Sequence, residues 1–162
     1  MSKADELAAK LKQKQQGRAD KEASADKTIE LWPIQVNELY QQIENWLTPL
    51  SEAGLGIRRN ATRVFESTPS GATFNYAIDQ LVLEGNHTSI TFDPIARFIP
   101  GATGRIDIHA KGQERYLLRT ASDHGEGHWM THTTSPSGRP RQEPVEFNED
   151  NLLTVIEEGL EL

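Results

Sequence analysis

Residues 105–120, RIDIHAKGQERYLLRT, carry the pattern that decides the fold of this chain. From Arg105 to Ala110 polar and apolar residues alternate strictly, which gives a strand one polar and one apolar face. Lys111-Gly112 is a turn signal, and a second strand is predicted from Arg115 to Thr120. The stretch therefore predicts an antiparallel hairpin with one face on a core and the other partly open to water.

Short strands of this kind, separated by turn residues, are predicted throughout residues 55–134. The longest runs from Thr73 to Glu84, and its apolar positions change from even to odd numbers part-way along. That change of phase predicts a bulge near Asp79-Gln80. Turns every eight to twelve residues are typical of an antiparallel meander.

Amphipathic helices are predicted on both sides of the strands. After Pro33, which suits a first helical turn, apolar residues recur at helical spacing from Val36 to Leu50. Near the C-terminus Asn148 can cap a helix with an apolar stripe ending at Leu160. The predicted fold class is α+β, with a single mostly antiparallel sheet of about six short strands flanked by an N-terminal and a C-terminal amphipathic helix.

Residues 1–30 differ in composition from residues 31–162. They are rich in charge, and their only large aliphatic residues are Leu7, Leu11 and Ile29. So short a stripe does not stabilise an isolated helix in water, which predicts a charged, partly helical or disordered arm in front of one domain at 31–162. The alternative is a docking helix that becomes ordered on a partner.

Composition excludes several classes of protein. The 162 residues suffice for one domain, and the absence of cysteine excludes disulfides, thiolate nucleophiles and zinc sites that need sulfur. A formal net charge of −7 repels nucleic-acid phosphate at long range. No apolar run approaches the roughly 20 residues that cross a bilayer. We therefore expect a cytoplasmic protein without a membrane or nucleic-acid partner.

A candidate binding face follows if the strands at 105–110, 115–120 and 127–134 are neighbours. Its outward side chains are predicted to be Arg105, Asp107, His109, Arg115, Arg119, His128 and His132. Guanidinium groups are well shaped for carboxylate and phosphate, so this face is expected to suit an acidic peptide or a small anion. The alternative interpretation is cross-strand charge pairing with little net energy.

A candidate metal site is formed by His124, Glu126 and His128, with His132 four residues further on. Nitrogen ligands with a carboxylate suit zinc or another divalent ion. Residues four apart on a strand are separated by about 13 Å, so only a sharp bend at the intervening glycines brings such ligands together. An exposed strand with polar side chains is the alternative.

These patterns favour a non-enzymatic protein-binding module over catalysis, because no nucleophile-and-base motif and no phosphate-binding loop is present. No cofactor is expected. In size, acidity and order of elements the chain resembles small bacterial secretion chaperones and toxin-immunity proteins, a likeness of layout without a shared motif. The expected partner is another protein, for example an acidic one, and self-association into a homodimer stays open.

Two alternatives to protein binding stay open. One is a metal-dependent enzyme that uses His124, Glu126 and His128. The other is a small-ligand carrier with an apolar pocket between Trp129, Phe92 and the N-terminal helix.

Overall fold

The computed structural model describes residues 2–121, 127–134 and 143–162, and two packed layers form the fold. One layer is an antiparallel sheet whose seven strands follow one another in chain order. The other layer is formed by helices on one face of this sheet. The helices are α1 (Lys3–Trp46), α2 (Thr48–Glu52) and α3 (Glu149–Gly159), and the strands are β1 (Gly56–Ser67), β2 (Thr73–Gly85), β3 (Thr88–Ala96), β4 (Arg105–Ala110), β5 (Gln113–Ala121), β6 (Gly127–Thr133) and β7 (Val145–Glu146).

The predicted α+β class and the single antiparallel sheet are confirmed. The strand count is one higher than expected because the two-residue strand β7 pairs with β6 through Met130 and Thr131. So short a strand carries almost no alternation, and its sequence therefore gives no strand signal.

Helix α1 is 44 residues long, which corresponds to about 66 Å. It includes both the predicted arm and the predicted helix, so the prediction that a helix begins at Pro33 is wrong: Pro33 lies inside α1. Proline in a helix interior removes a hydrogen bond and normally breaks the helix. Here Ile29, Trp32 and Val36 are buried on either side of Pro33, and this packing holds both segments against the sheet.

The N-terminal half of α1 projects away from the domain. Ser2 caps it, since its side chain accepts a hydrogen bond from the Asp5 N–H. Residues 2–20, 23 and 24 are exposed, and the first buried residue of the helix is Ile29. In the described part of the chain, no helix combines the length and the apolar character needed to cross a membrane.

The hydrophobic core lies between α1, α3 and one face of the sheet. From α1 it contains Trp32, Val36, Tyr40, Ile43 and neighbouring residues, and from α3 it contains Leu152, Val155 and Ile156. The sheet contributes inward residues from β2 to β5, for example Leu83, Phe92, Ile106 and Leu117. Each such side chain stabilises the fold by about 1.5–3 kcal/mol on burial.

The phase change in β2 has a different cause from the one predicted. The register with β1 is continuous from Gly56↔Glu84 to Ser67↔Thr73, so the expected bulge near Asp79-Gln80 is absent. Instead, β2 pairs with β3 only from Leu81 to Gly85. The part of β2 from Thr73 to Gln80 pairs with β1 alone and separates from the rest of the sheet. Its Tyr76 and Ile78 nevertheless belong to the common core. A long two-stranded ribbon twists strongly, which allows its two halves to bury opposite faces.

Helix α1 contacts the point where β2 and β3 separate. The Tyr40 hydroxyl donates to the Asp79 carbonyl at 2.8 Å and to the Phe92 carbonyl at 3.4 Å. Burial raises the pKa of Tyr40 far above its usual value, so the phenol stays protonated and remains a donor.

Candidate functional site

Five of the seven predicted binding-face residues lie on the open face of the sheet, opposite the helices. Arg105, Asp107 and His109 alternate along β4 with the buried Ile106 and Ile108. From β6, His132 lies opposite Tyr116, which in turn lies opposite Asp107. His128 lies opposite Thr120, at the end of the same face.

Arg115 and Arg119 lie on the helix-covered face, so their predicted place on the open face is wrong. The register pairs Arg115 with the core residue Ile108. Arg115, Leu117 and Arg119 are every second residue of β5, so both arginines lie on the same face as the fully buried Leu117. Arg115 donates to Glu158 of α3 over 2.5 Å. The apolar pair Leu117-Leu118 gives β5 two possible phases in the sequence, and only the pairing with β4 decides between them.

The open-face residues hold one another in a network of short contacts. Arg105 Nε lies 2.6 Å from Asp107 Oδ1, and the guanidinium group lies 4.1 Å from the centroid of the Tyr116 ring. Tyr116 stacks on His132 with a centroid distance of 5.0 Å and an angle of 11°. Partial burial of the imidazole is the main cause of a lowered pKa of His132, and the positive charge of Arg105 lowers this pKa further. The imidazole is therefore uncharged at neutral pH.

Carboxylates interrupt the expected cluster of cations on this face. Asp93 lies directly opposite Asp107 in the register of β3 and β4. Its Oδ2 lies 3.4 Å from His109 Nε2, and its Oδ1 accepts from Gln80 Nε2 at 2.9 Å. Because the carboxylates of Asp93 and Asp107 lie beside His109 and Arg105, the open face offers little net attraction to an acidic peptide.

The predicted metal site cannot be assembled from the described residues. His124 and Glu126 lie outside them, and His128 is exposed on β6. Among the residues that the structure describes, no group of three or more histidines and carboxylates is placed to hold a metal ion. The metal-dependent enzyme therefore stays a prediction.

A cavity is bordered by Trp129 and the N-terminal helix, two of the three walls that the sequence predicted. The third predicted wall, Phe92, is fully buried, packs against Phe147 with a ring-centroid distance of 6.4 Å and is not among the residues that line this cavity. The cavity has a volume of about 340 Å³ and lies between α1 and the β5–β6 end of the sheet. Two of the predicted binding residues, Arg119 and His128, also line this cavity. The predicted pocket included Trp129 and the N-terminal helix, but the helix residues that line the cavity, Glu38 and Trp46 among them, were not identified from the sequence.

The projecting half of α1 carries the second candidate surface. Leu7 and Leu11 are 55% and 60% exposed and lie four positions apart, on one side of the helix. Lys3, Lys10 and Lys14 lie three or four positions from one of these leucines, and therefore on the same side of the helix. In the described part of the chain these lysines have no carboxylate within 4.0 Å. We call these five residues the arm stripe.

No known protein family matches the chain, and comparisons with curated proteins and with solved structures find no similar protein. The basis for a functional proposal is therefore the chemistry of the two candidate surfaces, the open face of the sheet and the arm stripe.

Proposed function

We propose that the chain is a cytosolic, non-enzymatic protein-binding module of the adaptor or chaperone kind, and that its arm stripe is the docking element. The observation that carries this proposal is the exposure of Leu7 and Leu11 on a helix that leaves the domain. A helix without tertiary contacts has only marginal stability in water. This one is continuous with a packed helix, so its nucleation cost is already met and a partner has only to supply packing.

The arm stripe indicates the chemistry of the partner. Its two leucines provide a small apolar centre, and the lysines beside them provide positive charge with no carboxylate of the described residues within 4.0 Å. Residues 1–30 carry seven Lys and Arg against six Asp and Glu, whereas residues 31–162 carry ten against eighteen. The domain therefore repels an acidic segment, and the arm is the region that can attract one. We propose that the partner presents an acidic amphipathic helix to the arm stripe.

Proteins retained from native lysate by the full chain should be lost when Leu7 and Leu11 are both changed to glutamate. The double change removes the apolar centre and places negative charge opposite an acidic partner, so we expect at least a tenfold loss of retained partner. Quantitative mass spectrometry of the retained proteins is the measurement.

The matched control changes Ala9 and Gln13 to glutamate. It adds the same charge at the same spacing of four, on the side of the exposed helix that faces away from Leu7 and Leu11. The control should retain the same proteins as the unchanged chain. Equal loss from both variants would show that net charge alone matters, and retention of further copies of this chain in place of another protein would overturn the proposed partner.

A further inference from the structure

The cavity beside Trp129 has the size of a small-molecule site, and its lining combines aromatic side chains with charged and polar ones. Its volume of about 340 Å³ lies within the range of ligand pockets in proteins. Trp46 of α1, Trp129 of β6 and Phe147 form aromatic walls. These rings pack against other aromatic rings. The ring centroids of Trp129 and Trp32 are 5.9 Å apart, and those of Trp46 and Phe147 are 6.0 Å apart. The walls are therefore preformed.

Arg119 provides a cation on the sheet side of this cavity. Its guanidinium group lies directly over Gly127, where a Cβ atom would be 2.3 Å from Nη2 and 2.4 Å from Cζ. Its Nη1 donates to Thr103 Oγ1 at 3.2 Å. Among the described residues, no carboxylate lies within 4.0 Å of it. A guanidinium group has five N–H donors, and the described residues accept from one of the two Nη atoms, at Thr103.

The surroundings of Arg119 contain a second incompletely paired arginine. Arg97 Nε is buried without a hydrogen-bond partner among the described residues. Burial is the main cause of a lowered pKa of Arg97, and the positive charge of Arg119 lowers this pKa further. Burial also lowers the pKa of Arg119, and the Glu38 carboxylate opposes that shift. A carboxylate bound at Arg119 would relieve the repulsion between the two guanidinium groups.

The remaining charges of the cavity are negative and lie at its rim. Glu38 of α1 and Glu146 of β7 both line the cavity, and both are exposed. Two carboxylates at the entrance disfavour a phosphate or a dicarboxylate, because like charges approach closely there. They favour a ligand that carries a positive group a few ångströms from its own carboxylate.

We propose that this cavity binds a free amino acid with a large apolar side chain. Its carboxylate contacts Arg119, its ammonium group faces Glu38 and Glu146, and its side chain lies between Trp46 and Trp129. Such a site discriminates against analogues with one charge. Without its ammonium group the ligand brings a carboxylate close to Glu38 and Glu146 with nothing to offset the repulsion, and without its carboxylate it leaves Arg119 without that anion. The site is independent of the arm stripe.

Calorimetric titration of the full chain with L-phenylalanine and L-leucine tests the proposal. Binding of at least one is expected, and 3-phenylpropionate and phenethylamine should each bind at least tenfold more weakly than phenylalanine. The Leu7→Glu/Leu11→Glu chain should bind equally well, which separates this site from the docking of a partner. Absence of binding by both amino acids at millimolar concentration, or equal binding by either single-charge analogue, would overturn the proposal.

Substitutions in the cavity test whether the amino acid binds there. Arg119→Gln should weaken phenylalanine binding at least tenfold, whereas Arg115→Gln should leave it unchanged, because Arg115 lies on the same strand and face but contacts Glu158. Should Arg119→Gln fail to fold, Glu38→Gln at an exposed helix position gives the second readout. It should weaken phenylalanine binding and abolish the preference over 3-phenylpropionate. Unchanged affinity and preference in the folded variants would place the ligand elsewhere.

Discussion

Replacing Gly104 with alanine is expected to destabilise the protein by about 3 kcal/mol. Gly104 has φ +142°, in a region that residues with a Cβ atom rarely adopt. A Cβ atom there would lie 2.3 Å from Cζ3 of Trp32, whose indole ring is fully buried. The ring cannot move aside without disturbing the contact between α1 and the sheet. Chemical denaturation followed by tryptophan fluorescence measures the free energy of unfolding.

Gly101→Ala is the matched control for that substitution. Gly101 also has a positive φ, +76°, but no atom lies within 4 Å of its virtual Cβ. Backbone strain alone should therefore cost about 1 kcal/mol. Equal losses from the two substitutions would show that the indole of Trp32 does not lie against Gly104.

Replacing Glu66 with alanine is expected to destabilise the protein by about 3 kcal/mol. The Glu66 carboxylate accepts hydrogen bonds from the Tyr76 hydroxyl and from the backbone N–H groups of Arg97 and Phe98, the latter at 2.9 Å. It thereby joins the free end of the β1–β2 hairpin to the loop after β3. Alanine would leave three donors without an acceptor, and the free energy of unfolding in urea reports the loss.

Glu84→Ala on the same hairpin controls for the loss of a carboxylate. Glu84 forms an exposed ion pair with Arg58 at 2.8 Å, with about half of each side chain in water. Such a pair contributes about 1 kcal/mol or less. A loss at Glu84 as large as that at Glu66 would contradict the role assigned to the Glu66 contacts.

Sequence patterns determined the sheet well because strand alternation is local. The strict alternation of Arg105 to Ala110 placed β4 and its two faces correctly, and Asn148 was correctly identified as the cap of α3. Pro33 was misleading, because a proline is usually excluded from a helix interior unless tertiary packing holds both sides. That packing, around Trp32 and Val36, is not visible from propensity.

The candidate sites were less predictable because they depend on contacts between distant segments. The faces of Arg115 and Arg119 follow from the pairing of β5 with β4, and Leu117-Leu118 leaves that phase open in the sequence. A pocket between Trp129 and the N-terminal helix was predicted, but the helix residues that line it depend on how α1 packs on the sheet, which no periodicity encodes. The arm was recognised by composition, but its continuity with the packed helix follows only from the structure.

Site-specific photo-crosslinking distinguishes most directly between the arm stripe and the open sheet face as the docking surface. A benzophenone amino acid in place of Ala4 lies on the side of Leu7 and Leu11, and one in place of His109 lies on the open face. Irradiated with lysate, the residue-4 chain should form a crosslinked product with an acidic protein, and the residue-109 chain should form none. A product from residue 109, with none from residue 4, would contradict the proposed docking element.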